Sequence, residues 1–118
     1  MRQAQKIEKP WGYELVWAKT DCYAGKILHI KKGESLSLQY HQKKEETQYV
    51  LSGRIRLEVE ENGKLTPREL GPGEGYHFVP GTKHRLTAIE DADVLEASTA
   101  ELDDVVRLED RYGRAKGC

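Results

Sequence analysis

Short runs rich in aliphatic, aromatic and β-branched residues recur about every ten positions, separated by glycine, proline or Asn-Gly, and no stretch sustains a helical period. The pattern predicts strands over Tyr13 to Trp17, Tyr23 to Ile30, Glu34 to His41 and Gln48 to Leu51. In the third of these, Ser35, Ser37, Gln39 and His41 alternate with Leu36, Leu38 and Tyr40, which predicts one polar and one apolar face. The next strand sets Ile55, Leu57 and Val59 against Arg54, Arg56 and Glu58, and Asn62-Gly63 predicts a tight hairpin because both central positions of that turn need positive φ. Leu65 to Leu70 returns, with Pro67 marking an edge position. After turns at Gly71-Pro72-Gly73 and Pro80-Gly81-Thr82, strands are expected at Tyr76 to Val79, His84 to Ile89 and Val94 to Thr99. About nine strands of this length suggest a sandwich or barrel, and a jelly roll protects the edges best. Only Asp103 to Asp110 reads as helical, with Asp103 or Asp104 as its cap and Val105, Val106 and Leu108 as a partial apolar face.

Composition narrows the function classes. A chain of 118 residues suits one domain, expected over 1–118 with its core at 9–114. Its 37% hydrophobic residues suffice for a core without disulfide or metal staples, so a metal would be functional. Lys and Arg number 19 against 20 Asp and Glu, a formal charge of −1 that offers no field to hold a nucleic-acid backbone. No apolar run is long enough for a membrane span and the first residues do not resemble a signal peptide, so a cytoplasmic location is expected. Cys22 and Cys118 have no metal-type spacing and read as free thiols, Cys118 in a mobile tail.

His41 is the most informative histidine, because Gln39 lies two residues earlier and strand geometry points both side chains to one face. Glu46 follows after the Gln42-Lys43-Lys44 turn, and His84 opens a later strand. Gln39, His41, Glu46 and His84 together offer two imidazole nitrogens and two oxygens, a donor set suited to one divalent ion such as Zn, Mn, Co, Ni or Fe with water positions left open. Spacing alone also allows surface histidines beside a solvated glutamate.

The segment Gly33 to Gly53 resembles the first cupin motif, G-x5-H-x-H-x4-E-x6-G, with Gln39 in place of the first histidine. Gly73, Gly81 and His84 follow the second, G-x5-P-x-G-x2-H-x3-N, with Val79 at the proline and Ala88 at the asparagine position. The two motifs imply an all-β, single-domain cupin jelly-roll barrel, here with the short C-terminal helix added. Lys9-Pro10-Trp11-Gly12-Tyr13-Glu14, Leu36 to His41, Lys83-His84-Arg85-Leu86 and Arg107 to Arg114 look like the C-terminal phosphomannose isomerase domain of the type II bifunctional enzymes. That resemblance implies glutamine, histidine, glutamate and histidine as metal ligands, which fall at Gln39, His41, Glu46 and His84. Around Lys44, Thr47 and Gln48 the bifunctional enzymes commonly carry arginine, histidine and tryptophan, so different chemistry is expected at the pocket mouth.

The function this implies is a metal-dependent aldose–ketose isomerase of a hexose 6-phosphate, interconverting mannose 6-phosphate and fructose 6-phosphate. A sugar phosphate is then the small-molecule partner. A metal- and sugar-binding cupin without turnover, and a metal dioxygenase or epimerase-like cupin, are the alternatives. Lys44 and His77 are the candidate catalytic residues, with Glu45 a further candidate base; the other readings are a solvated turn for Lys44 and a packing role for His77. Arg111 and Arg114 either grip phosphate or flank a structural Tyr112. His29 is expected in a core or interface role, and Trp11 and Trp17 as core or dimer anchors. If Gln39 and His41 face inward, Leu36, Leu38 and Tyr40 face outward as a stripe for the N-terminal segment or a second subunit to cover, which predicts a homodimer built against it.

Overall fold

Hydrogen bonding follows the predicted β spacing. The computed structural model describes residues 3–114, and Cys118 lies outside them. Among these residues are eleven strands: β1 (Gln5–Lys9), β2 (Gly12–Lys19), β3 (Ala24–Ile30), β4 (Leu38–Tyr40), β5 (Glu46–Ser52), β6 (Ile55–Glu61), β7 (Lys64–Leu70), β8 (Gly75–Phe78), β9 (His84–Ala88), β10 (Ala92–Ser98) and β11 (Val106–Glu109). They form a six-stranded sheet in the order β1-β2-β3-β10-β5-β8 and a five-stranded sheet in the order β11-β4-β9-β6-β7. The sheets stay separate, so the expected closed barrel is an open double-sheet arrangement. No helix among the described residues is long and apolar enough to cross a membrane.

The core lies between the sheets. Leu28, Ile30, Val50, Phe78 and Val94 point in from one sheet, and Ile55, Leu57, Val59 and Leu86 from the other. Burying each of these side chains stabilises the fold by about 1.5–3 kcal/mol. Trp11, between β1 and β2, is buried with them, whereas Trp17 is 52% exposed. Asn62 and Gly63 both have positive φ, as their hairpin requires. Pro67 sits in β7, at the end of its sheet, where its missing N–H costs no ladder bond.

Three expectations need correction. Asp103 to Asp110 is not helical: β11 pairs with β4 instead. The Asp104 carboxylate accepts the backbone N–H groups of Gln42, Lys43 and Lys44 at 3.0, 2.6 and 2.9 Å, which ties it to a distant loop instead of a helix cap. The β-branched Val105 and Val106 favour the extended chain that follows.

The stretch Glu34 to His41 is not one continuous strand. Ser35 bridges Thr87, and its hydroxyl donates to the Leu86 carbonyl at 3.1 Å, while regular pairing resumes only at Leu38. Leu36, Gln39 and His41 all face the interior, so the alternation slips by one residue between Leu36 and Gln39. The outward stripe expected from the sequence therefore does not exist: Leu36 packs against the core and Leu38 is buried within the chain itself.

Candidate metal centre

Three strand ends deliver the ligand-type side chains. His41 follows β4, Glu46 opens β5 and His84 opens β9, while Gln39 stands in register opposite His84 and so shares its face. His41 Nε2 lies 2.9 Å and His84 Nε2 3.2 Å from Glu46 Oε1, and all three residues are buried. One nitrogen and oxygen set of His41, Glu46 and His84 falls within 4.8 Å of one another. Gln39 donates its amide nitrogen to the Ser37 hydroxyl at 3.1 Å, an orientation that leaves its carbonyl oxygen free of that bond.

Main-chain carbonyls set the two rings. His41 Nδ1 donates to Asp104 O at 2.5 Å and His84 Nδ1 to Thr82 O at 2.9 Å. In neutral rings this turns both Nε2 lone pairs toward Glu46 Oε1, the arrangement seen where a second partner fixes a metal-ligating histidine. Three acceptors in contact are stable only with a cation among them, either a proton on an imidazole or a metal ion. Glu46 Oε2 is buried without a hydrogen-bond partner. The residues fit a divalent ion bound by nitrogen and oxygen donors.

The charges follow the same logic. Burial alone would raise the Glu46 carboxyl, but hydrogen bonds from His41 and His84 and the Lys44 charge hold it well below the usual carboxylate range. Burial would lower His41, and the hydrogen bond and charge of Glu46 raise it above its ordinary value instead.

Lys44 enters the same cavity as a buried cation. Its Nζ lies 3.3 Å from Glu46 Oε2, an ion pair without hydrogen-bond alignment, and donates to Glu96 Oε2 at 3.3 Å. Burial opposes its charge, and Glu96 and Glu46 outweigh burial to raise its pKa. Glu96 is pushed up to about 7 by burial and by the like charge of Glu46, against the pull of Lys44. Gln48 donates to Glu96 Oε1 at 3.1 Å.

Glu96 was not legible as a candidate from motif spacing, although β10 carries a signal. Its inward series is Ala92, Val94, Glu96 and Ser98, and a carboxylate in that series marks where the core turns polar. Lys26 and Gln48 flank Glu96 in register on β3 and β5, so a polar row crosses the sheet at this level.

Other expected site residues lie elsewhere. His77 is exposed on the outer face of β8, paired through Nε2 with Glu45 Oε2 at 2.5 Å, and neither reaches the cavity. The strand alternation decides this, since the neighbouring Phe78 is the buried residue. Thr47 also faces outward, whereas Lys44 and Gln48 lie inside the cavity instead of at its mouth. Arg114 is committed to Asp110 at 2.8 and 3.0 Å and Arg111 to the Gly33 carbonyl at 2.8 Å; Tyr112 bonds Glu34. The cavity measures about 260 Å³.

Comparison with known proteins agrees with this geometry. Residues 26–97 match the family model described as Cupin domain. Mannose-1-phosphate guanylyltransferase ManC of Salmonella typhimurium is 34% identical over 116 residues, covering 93% of this chain and 23% of that protein. The Escherichia coli mannose-1-phosphate guanylyltransferase is 34% identical over 119 residues, covering 96% of this chain and 24% of that protein. The chain thus spans about a quarter of the length of these relatives. Among solved structures, KdgF from Halomonas sp. superposes with a TM-score of 0.74 at 21% identity, covering 86% of this chain and 91% of its own. Oxalate decarboxylase from Bacillus subtilis does so with a TM-score of 0.76 at 19% identity, covering 89% and 30%. These two likenesses establish the fold alone.

Proposed function

The chain belongs to the cupin family, and from that premise we propose that it is a metal-dependent aldose–ketose isomerase of a hexose 6-phosphate, interconverting mannose 6-phosphate and fructose 6-phosphate. The observation that carries the reading is the convergence of His41, Glu46 and His84 beside a buried Lys44 and Glu96 in one cavity. Gln39 completes the proposed ligand set from the strand register opposite His84. When bound, a divalent ion supplies Lewis-acid stabilisation of negative charge on the sugar's carbonyl and adjacent hydroxyl oxygens.

The chain's own residues supply the rest. Isomerisation carries a proton between neighbouring carbons, and the group that holds it must face the cavity. Lys44 and Glu96 both meet that condition; Lys44, held as a cation by Glu96 and Glu46, can donate a proton, and the Glu96 carboxylate is the group that can accept one, while His77 and Glu45 lie outside the cavity. Among the described residues, the cavity-lining Lys9, Lys19 and Arg107 have no ion pair, whereas Lys26 is paired with Glu14 and Arg114 with Asp110. Of these, Arg107 stands opposite Gln39 in register and is at hand for a phosphate, in keeping with relatives named for a mannose phosphate, whereas Lys9 and Lys19 lie at opposite ends of β2. A cytoplasmic location and a two-fold homodimer complete the reading.

A second reading, binding of metal and sugar without turnover, is favoured by the closed Gln48–Glu96–Lys44 network, which already satisfies much of the cavity's polar surface. A coupled assay separates the two. Protein loaded with Mn, Zn, Co or Ni is given mannose 6-phosphate, and fructose 6-phosphate is followed beside an oxygen-electrode trace. Turnover that disappears in His84→Ala supports the isomerase. Calorimetric binding of mannose 6-phosphate without product supports the binding reading, and oxygen uptake contradicts both.

A further inference from the structure

The five-stranded sheet carries a groove of about 310 Å³ on the face turned away from the metal cavity, lined from β6, β9, β11 and the segment before β4. Strand register fixes its floor. Arg56 stands opposite Thr87, and Thr87 bridges Ser35, with the two hydroxyl oxygens 2.9 Å apart. Residues opposite one another share a face, so Arg56 stands beside this pair of hydroxyls.

Arg111 reaches the same groove through a bulge in β11. Arg107 stands opposite Gln39 and Glu109 opposite Leu38, so Leu108 is an extra residue on the β11 side. Regular alternation would put Glu109 on the face of Arg107; the bulge leaves Arg107 in the metal cavity and sends Glu109 and the following Arg111 to the groove. Arg111 spends one Nη1 donor on the Gly33 carbonyl at 2.8 Å, and its guanidinium has others to offer.

Charge in the groove is divided unevenly. Both of its carboxylates are engaged by Arg85, Glu58 through two hydrogen bonds of 3.2 Å and Glu109 through one of 3.2 Å. Outside the groove, Glu69 stands opposite Arg56 on β7 but is paired with Arg54 at 2.7 Å, and Glu34 is bonded by Tyr112. Among the described residues, Arg56 and Arg111 therefore have no ion pair, and they border a floor that carries hydroxyls.

We propose that this groove binds a phosphomonoester, with its phosphate held between Arg56 and Arg111 and its neutral, hydroxylated remainder lying toward Arg85. The planar guanidinium fork matches phosphate oxygens. The Ser35 proton serves the Leu86 carbonyl, which leaves the Thr87 hydroxyl to turn from Ser35 to a phosphate oxygen. A second phosphate at the Arg85 end would meet Glu58 and Glu109, which repel anions and accept hydroxyl protons. The site is independent of the isomerase reading, because none of its charged residues lines the metal cavity.

Titration of isotope-labelled full chain with glycerol 3-phosphate tests it, followed by the amide NMR shifts of Ser35, Arg56, Thr87 and Arg111, with sodium chloride of equal ionic strength as reference. The expected result is saturable shifts at these amides, with affinity about tenfold lower in Arg56→Gln and in Arg111→Gln and unchanged in Arg107→Gln, which alters the other cavity. If Arg111→Gln disturbs the turn at Gly33, Arg56→Gln decides the matter, since Arg56 has no partner within the chain to lose. Shifts that sodium chloride reproduces, or an affinity unchanged in Arg56→Gln, would overturn the site. Fructose 1,6-bisphosphate should gain nothing from its second phosphate beyond statistics, and clearly tighter binding of it would overturn the monoester assignment.

Discussion

Asp104 holds His41 through its main chain and the neighbouring loop through its side chain. The carbonyl accepts from His41 Nδ1 at 2.5 Å while the carboxylate accepts the N–H of Lys43 at 2.6 Å and of Lys44 at 2.9 Å. One residue thus orients a proposed ligand and fixes the turn that carries Lys44 into the cavity. The N–H groups of Lys43 and Lys44, with that of Gln42, hold the Asp104 carboxyl below its ordinary value.

Asp104→Ala keeps the carbonyl and removes the carboxylate. The expected outcome is a lower urea midpoint and metal binding weaker by up to about tenfold, because the loop that positions the carbonyl against His41 is loosened while the carbonyl itself remains. Asp104→Asn, which retains one acceptor oxygen, should recover part of both. Titration with a competing chelator measures the affinity, and an unchanged value in the alanine variant would detach the loop from the centre.

Removing either member of the Lys44–Glu96 pair should have unequal consequences. Lys44→Met leaves Glu96 and Glu46 as neighbouring buried carboxylates, a change that costs about 3–5 kcal/mol when a buried pair is broken. Glu96→Gln leaves Lys44 paired with Glu46, so its loss should be clearly smaller. Urea unfolding of the two variants under identical conditions gives the ranking, and equal or reversed losses would contradict the arrangement.

Gly53 and Gly63 both have positive φ, yet their surroundings differ. A Cβ at Gly53 would lie 2.1 Å from the Asp91 carbonyl oxygen, whereas nothing lies within 4 Å at Gly63. Gly63→Ala should cost about 1–2 kcal/mol from the left-handed backbone alone, and Gly53→Ala distinctly more, because strand-end backbone has to move. Thermal unfolding of both variants checks the order.

His77→Ala should leave metal content and turnover unchanged, because the ring lies outside the cavity. Gln39→His should still bind metal but with an altered preference, since an imidazole replaces a neutral oxygen donor. Competition among Mn, Zn, Co and Ni reads the second effect; an unchanged profile would remove Gln39 from the ligand set.

Much of the fold could be read from local patterns. The alternation of Ile55, Leu57 and Val59, the Asn62-Gly63 turn and Pro67 at an edge depend on backbone geometry and face burial that sequence expresses directly. Cupin membership, and the closeness of His41, Glu46 and His84, followed from motif spacing. Less legible was anything decided by tertiary hydrogen bonding. Asp104 looked like a cap, but its partners lie about sixty residues away in sequence, and Val106 to Glu109 became a strand because β4 offered an open edge. The one-residue slip between Leu36 and Gln39 depends on Ser35 bonding to Leu86 and Thr87, which no period within the segment reveals. The position of His77 outside the cavity was not legible either, because its place on a four-residue strand does not state which face of that strand turns inward.

The central claim is that His41, Glu46 and His84 form one metal centre, and its most direct test is the metal content of purified protein after reloading with a divalent ion and removal of excess. Elemental analysis should give close to one ion per chain for wild type and close to none for His41→Ala, with the variant's circular dichroism unchanged. Wild-type metal content in folded His41→Ala would contradict the assignment.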